Sequence, residues 1–176
     1  MARRSILLLA CLAVCIGGCS SPEPPSQTVR VQAAIVQLRP LEGRSANGII
    51  DLVPTAGGLA VKGELLGLKG TAYELRAHQL GDCTDPRGRS AGPPYAYSDP
   101  VTGRDVNGTV TTFEPNRTGE LAISDRFRGG RLSGTLSLRG RSLVLHRIDR
   151  DEAGATVATR VACGIVGVAR EGTGAS

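Results

Sequence analysis

Ile49-Ile-Asp-Leu-Val-Pro-Thr-Ala-Gly-Gly-Leu-Ala-Val-Lys-Gly-Glu-Leu-Leu66 reads as strand, turn, strand. Ile49 to Val53 is a short aliphatic run, and Thr55 to Gly58 carries the paired glycines of a turn. Leu59 to Leu66 then resumes a strand before Gly67-Leu-Lys-Gly70 makes a tight connection. Upstream, Val29, Val31, Ala33 and Ile35 share one parity with Arg30 and Gln32 on the other, the alternation of a half-buried strand, and Leu41 to Gly48 is the turn region after it. Downstream, Tyr73 to Leu80 alternates again. Gly119 to Ser124, Leu132 to Leu138, Ser142 to His146 and Val161 to Val168 complete around eight short strands. Gly81 to Asn107, dense in Gly, Pro, Asp and Arg, reads as one long ordered or semi-ordered loop. No internal repeat and no helical periodicity interrupt this pattern, so the expected fold is all-β, an antiparallel sandwich or Greek-key barrel.

Composition points the same way. The chain has 176 residues, 24 of them Gly and 10 Pro, which suits one turn-rich domain and opposes a helical bundle. The formal charge is +5, and losing Arg3 and Arg4 with a leader would leave about +3. Arginines such as Arg76, Arg87, Arg89, Arg104, Arg117, Arg126 and Arg128 stand singly without interleaved aromatics, which argues against a nucleic-acid partner.

Residues 1–18 have the form of a secretory signal: Arg3 and Arg4, then an apolar stretch from Ile6 to Ile16 too short for a stable span, then Gly17 and Gly18. Ile16-Gly-Gly-Cys19 resembles the bacterial lipobox, which implies lipid attachment at Cys19 and anchoring to a membrane of the cell envelope. Residues 19–28 are rich in Pro and Ser and read as a tether, 29–170 as the folded domain and 171–176 as a flexible tail. Cys11 and Cys15 leave with the signal. Cys83 and Cys163 remain, and in an oxidising compartment the pair reads as one disulfide, the alternative being two free thiols.

Leu80-Gly-Asp-Cys83-Thr84 followed by Ser90-Ala-Gly-Pro93, and near the end Gly140-Arg-Ser-Leu-Val-Leu-His146 with Arg160-Val-Ala-Cys163-Gly-Ile-Val-Gly167, resemble the copper/zinc superoxide dismutases. The resemblance covers about residues 30–170 and implies an eight-stranded Greek-key barrel. It places His78 and His146 at two copper-ligand positions, Arg76 and Pro94 at two others, and Arg160 at that of the arginine that steers superoxide. It also implies the Cys83–Cys163 pairing. The family's metal chemistry uses six histidines and this chain has two. Arginine does not ligate copper, and the segment between Tyr95 and Asn116 offers zinc no histidine whether or not Phe113 is aligned with its third ligand. The position of an aspartate that links the two metals falls on Arg150, between Asp149 and Asp151.

Three functions follow as expectations. One is a non-catalytic or weakly active envelope lipoprotein on the dismutase scaffold, with zinc absent and its protein partner unknown. Another is an active dismutase acting on superoxide through one copper ion held by His78, His146 and an improvised ligand such as Tyr73, Tyr95 or a carboxylate. The third is a copper-binding protein without turnover. The loop from Cys83 to Asn107, with Tyr95, Tyr97 and several arginines, is also a candidate docking surface for a partner or an anionic ligand, provided these tyrosines do not face the core.

Overall fold

The computed structural model describes residues 33–98 and 105–169. The signal, Cys19, the tether, the Val29–Val31 part of the expected first strand and the C-terminal tail lie outside them. The strands are β1 (Ala34–Pro40), β2 (Asn47–Thr55), β3 (Gly58–Leu66), β4 (Ala72–His78), β5 (Ala96–Ser98), β6 (Asp105–Asn107), β7 (Thr109–Phe113), β8 (Leu121–Arg128), β9 (Ser142–Arg150), β10 (Thr156–Ile165) and β11 (Gly167–Val168). Eight of them hydrogen-bond side by side in the order β7-β4-β9-β10-β1-β2-β3-β8, with β11 added beside β1 and a separate β5-β6 ribbon. All these pairs are antiparallel. The two ends of the order, β7 and β8, lie against each other, so the sheet curls into a nearly closed barrel. The links β3 to β4 and β8 to β9 join strands that are not neighbours, giving Greek-key rather than simple up-and-down connectivity.

Inward-facing residues of every long strand build one core. Val36, Leu38, Ile50, Leu52, Leu59, Val61, Leu65, Leu75, Leu143 and Leu145 are all sealed from solvent, with Tyr73 and Phe127 as its largest members. At roughly 25 cal/mol per Å² of apolar surface, each such side chain contributes about 1.5–3 kcal/mol.

The expected first strand is present but turned over. Ala34, Val36 and Leu38 face the core and Ile35 faces out, whereas the alternation of Val29, Val31, Ala33 and Ile35 pointed to the other face. Both parities are apolar from Ala33 to Val36, and the polar Gln37 and Arg39 farther along decide which one meets solvent. Leu132 to Leu138 is not a strand. Arg131 and Ser137 form only an isolated bridge around a bend at Gly134, and Leu132 and Leu138 drop into the core as plugs. The region from Gly81 to Asn107, expected as an ordered or semi-ordered loop, contains a 3-10 turn at Arg89–Ala91 and the β5-β6 ribbon. Thr109 to Phe113 adds a strand where none was expected.

Candidate metal centre

Period-two geometry sets the site on the outside of the barrel wall. Tyr73, Leu75 and Ala77 of β4 face the core, so Glu74, Arg76 and His78 line the opposite face. The β9 register places His146 opposite Glu74, Val144 opposite Arg76 and Ser142 opposite His78. On the other side of β9, Arg160 of β10 stands opposite His146.

Cys163 lies three positions after Arg160, a spacing that in a regular strand would send them to opposite faces. A bulge between Arg160 and Ala162 takes up one residue, so both lie on the outer face while Val161 and Ala162 join the core.

The segment from Gly81 to Pro94 covers this face. Cys83 is bonded to Cys163, and around that disulfide Leu41, Ala91 and Val144 form a small apolar cluster of their own. Asp85 organises the middle of the segment by accepting the backbone N–H groups of Arg87 and Arg89 and pairing with the Arg89 guanidinium at 3.2 Å. Those bonds hold the Asp85 carboxyl below its ordinary range, as the Thr84 backbone and hydroxyl bonds do for Asp82. Farther along, Pro94 forms an isolated bridge with His78. Gly92 has φ 75° and ψ −162°, a conformation that favours glycine. Its carbonyl accepts His78 Nδ1–H at 2.8 Å and the Arg160 guanidinium at 2.8 Å, and a second Arg160 nitrogen donates to the Gly88 carbonyl.

His78 and His146 meet at the centre of this arrangement. Their rings stack 11° from parallel with centroids 5.3 Å apart, and the two Nε2 atoms are separated by 3.1 Å. Because His78 Nδ1 donates to Gly92, His78 Nε2 carries a lone pair, and His146 satisfies it by donating from its own Nε2. That tautomer leaves His146 Nδ1 as a bare acceptor, buried and without a partner among the described residues. Such an atom costs about 1–3 kcal/mol.

Neither ring readily takes up a proton. Burial, then the charges of Arg76, His78 and Arg160, push the His146 imidazole down to about 3. Burial also lowers His78, partly offset by its Gly92 bond. Arg76 donates through Nε to Glu74 Oε2 at 2.9 Å and forms a closer ion pair with the same oxygen through its terminal nitrogen.

This donor set falls short of the ligands implied by the family resemblance. Among the described residues no three His, Cys, Asp or Glu side chains converge as a metal-holding group. At a metal–imidazole distance of about 2.0 Å, an Nε2 separation of 3.1 Å corresponds to an angle of roughly 100°. A linear two-nitrogen site would require the atoms about 4 Å apart. Tyr73 cannot serve as the improvised third ligand because its parity directs it into the core, where it is 1% exposed. Tyr95 fails for a related reason: it is buried in the same core, with the Arg141 guanidinium 3.7 Å above its ring. That placement also removes Tyr95 from the candidate docking surface. Tyr97 falls among side chains that are not described. Glu74, the one acid on this stretch of β4, is occupied by Arg76.

His78, His146, Arg76, Pro94, Arg160, Cys83 and Cys163 are thus brought to one face. Asp149, Arg150 and Asp151 have local partners instead. Arg147 donates to Asp149 at 2.7 Å, Arg150 reaches the Gly154 carbonyl, and Asp151 accepts the Ala155 N–H. Phe113 packs against the core edge. Sequence reasoning passed over Glu74 and the Gly92 carbonyl. The Glu-x-Arg spacing of Glu74 and Arg76 signalled the first, but no side chain could have signalled the second.

No family model matches the chain. An extracellular superoxide dismutase [Cu-Zn] of Caenorhabditis elegans is 27% identical to it over 187 residues, an overlap that covers 97% of this chain and 80% of that protein. The similarity therefore spans most of the sequence, and the barrel and disulfide agree with it.

Proposed function

We propose that the chain is an envelope-anchored lipoprotein of the Cu/Zn superoxide dismutase-like family, retaining barrel and disulfide while its metal centre has decayed, and non-catalytic or weakly active as a result. One observation carries this reading. The two imidazoles bond to each other at 3.1 Å, and the place of a third nitrogen donor holds the Arg76–Glu74 ion pair. The likeness to a Cu-Zn dismutase over most of the chain supports the family assignment. The leader, the lipobox-like Ile16-Gly-Gly-Cys19 and a disulfide between the only two cysteines beyond Cys19 support export and anchoring.

An active dismutase with an atypical copper site, or copper binding without turnover, would require the His78–His146 bond to open and further donors to arrive. Arg160 would then steer superoxide, whereas in the resting site it fastens the covering segment to β10. The test is titration of the folded, disulfide-bonded chain from Ser20 onward with Cu2+ and Zn2+, followed by metal analysis, Cu(II) spin resonance and a dismutation assay. The proposal expects no stoichiometric zinc and no nitrogen-rich Cu(II) signal. One copper per chain with activity lost in His78→Ala and His146→Ala overturns it.

A further inference from the structure

Two clefts flank the turn that follows β1, and Arg44 lines both. The larger, of about 400 Å³, lies between that turn, Pro86-Arg87 and β10, and gathers Arg44, Arg87 and Arg160 around a single acid, Glu42. The smaller, of about 170 Å³, lies between the same turn, the Gly67–Lys69 connection and β9, and gathers Arg44, Lys69 and Arg147. The backbone fixes their shared wall. Leu41 N–H donates to the Val161 carbonyl, Glu42 N–H to the Pro86 carbonyl and Arg44 N–H to the Leu41 carbonyl.

Five cations therefore line the two clefts, a divided groove with Arg44 common to both sides of the turn. Ion pairing among the described residues engages only one of them, Arg147 with Asp149, while the other pairs join Arg76 to Glu74 and Arg89 to Asp85. Arg160 is satisfied by two carbonyls, which leaves its charge uncompensated within contact distance. Guanidinium forks favour oxyanions that accept two parallel bonds, and clustered cations in excess over carboxylates raise the local concentration of anions. The aromatic ring bordering the groove, Tyr73, is buried in the core and presents no stacking platform for a base.

We propose that this groove binds a linear oligophosphate, with one phosphate group in each cleft and Arg44 gripping the link between them. The site uses neither the histidine pair nor a metal, although Arg160 shares the Gly92 carbonyl with His78.

The probes are inorganic tripolyphosphate and orthophosphate, titrated calorimetrically into the disulfide-bonded chain at low salt. Tripolyphosphate is expected to bind at one per chain and at least tenfold more tightly than orthophosphate, with affinity falling as salt rises. Arg44→Ala changes an exposed turn residue and is expected to reduce tripolyphosphate affinity by about tenfold or more, to near that of orthophosphate, because it removes the contact shared by both clefts. Lys69→Ala and Arg87→Ala, each touching one cleft, are expected to have smaller effects. Arg139→Ala, an exposed arginine outside the groove, is expected to have none. Equal affinity for the two anions, absence of binding at low salt, or equal losses in Arg139→Ala and Arg44→Ala would each overturn the proposal.

Discussion

His146→Leu should make the fold less sensitive to mild acid. In the folded chain, burial beside Arg76 and Arg160 holds the imidazole neutral down to about 3, against an ordinary value of 6.5. Because the folded value is the lower one, the unfolded chain binds a proton first. Stability is complete above about pH 6.5 and is lost progressively as pH falls toward 3. At 1.36 kcal/mol per pH unit the whole gap corresponds to ~5 kcal/mol, and the part between 6.5 and pH 5 to ~2 kcal/mol. The upper window is the informative one, because Asp82 and Asp85, held low by their hydrogen bonds, do not yet contribute there. Urea unfolding at pH 7 and pH 5 in wild type and His146→Leu isolates the difference. Wild type is expected to lose ~2 kcal/mol from His146 with an added share from His78, and the variant to lose only the His78 share. If the variant loses as much as wild type across that interval, the buried neutral His146 is not the source of acid sensitivity and the account of its environment is wrong.

Other perturbations probe different parts of the molecule. Arg76→His places a third imidazole on the outer face of β4 beside His78 and removes the guanidinium, so this variant is expected to gain one bound Cu2+ per chain by metal analysis; failure to do so would show that the outer face is not poised for ligation. Replacing Cys83 and Cys163 together by Ala opens a loop of 80 residues and is expected to lower unfolding free energy by ~4 kcal/mol, read as a lower urea midpoint. Leu138→Ala empties a fully buried position beneath the irregular segment after β8 and is expected to cost about 2–5 kcal/mol by the same measurement, whereas a loss well under 1 kcal/mol would mean the segment is not a core plug.

The barrel was legible wherever one parity was clearly polar. The β2-turn-β3 unit stands as read because Asp51, Lys62 and Glu64 mark the outward face beyond doubt. β1 was read on the wrong face because its first residues are apolar on both sides and the deciding Gln37 and Arg39 lie at its far end. Leu132 to Leu138 carries strand-like alternation yet plugs the core from a loop, since periodicity reports burial of alternate residues and not the hydrogen-bond partner that makes a strand. At the site, the convergence of His78 and His146 followed from family resemblance, as 68 residues separate them and no local pattern links them. The placement of Tyr73 was available from parity alone. Tyr95 was not, because its burial depends on the covering segment and on Arg141, both of which come from tertiary packing.

The segment over the histidines is fastened at each end by different chemistry, a covalent bond at Cys83 and the doubly engaged Gly92 carbonyl nine residues later. A protease cutting after the exposed Arg87 would create two new termini, each still secured to the barrel. The chain could be nicked there without shedding the cover. Inherited changes at an exposed position such as Arg87 are buffered in the same way, since neither fastening uses that side chain. A scaffold held like this can outlast the loss, one after another, of the ligands beneath it.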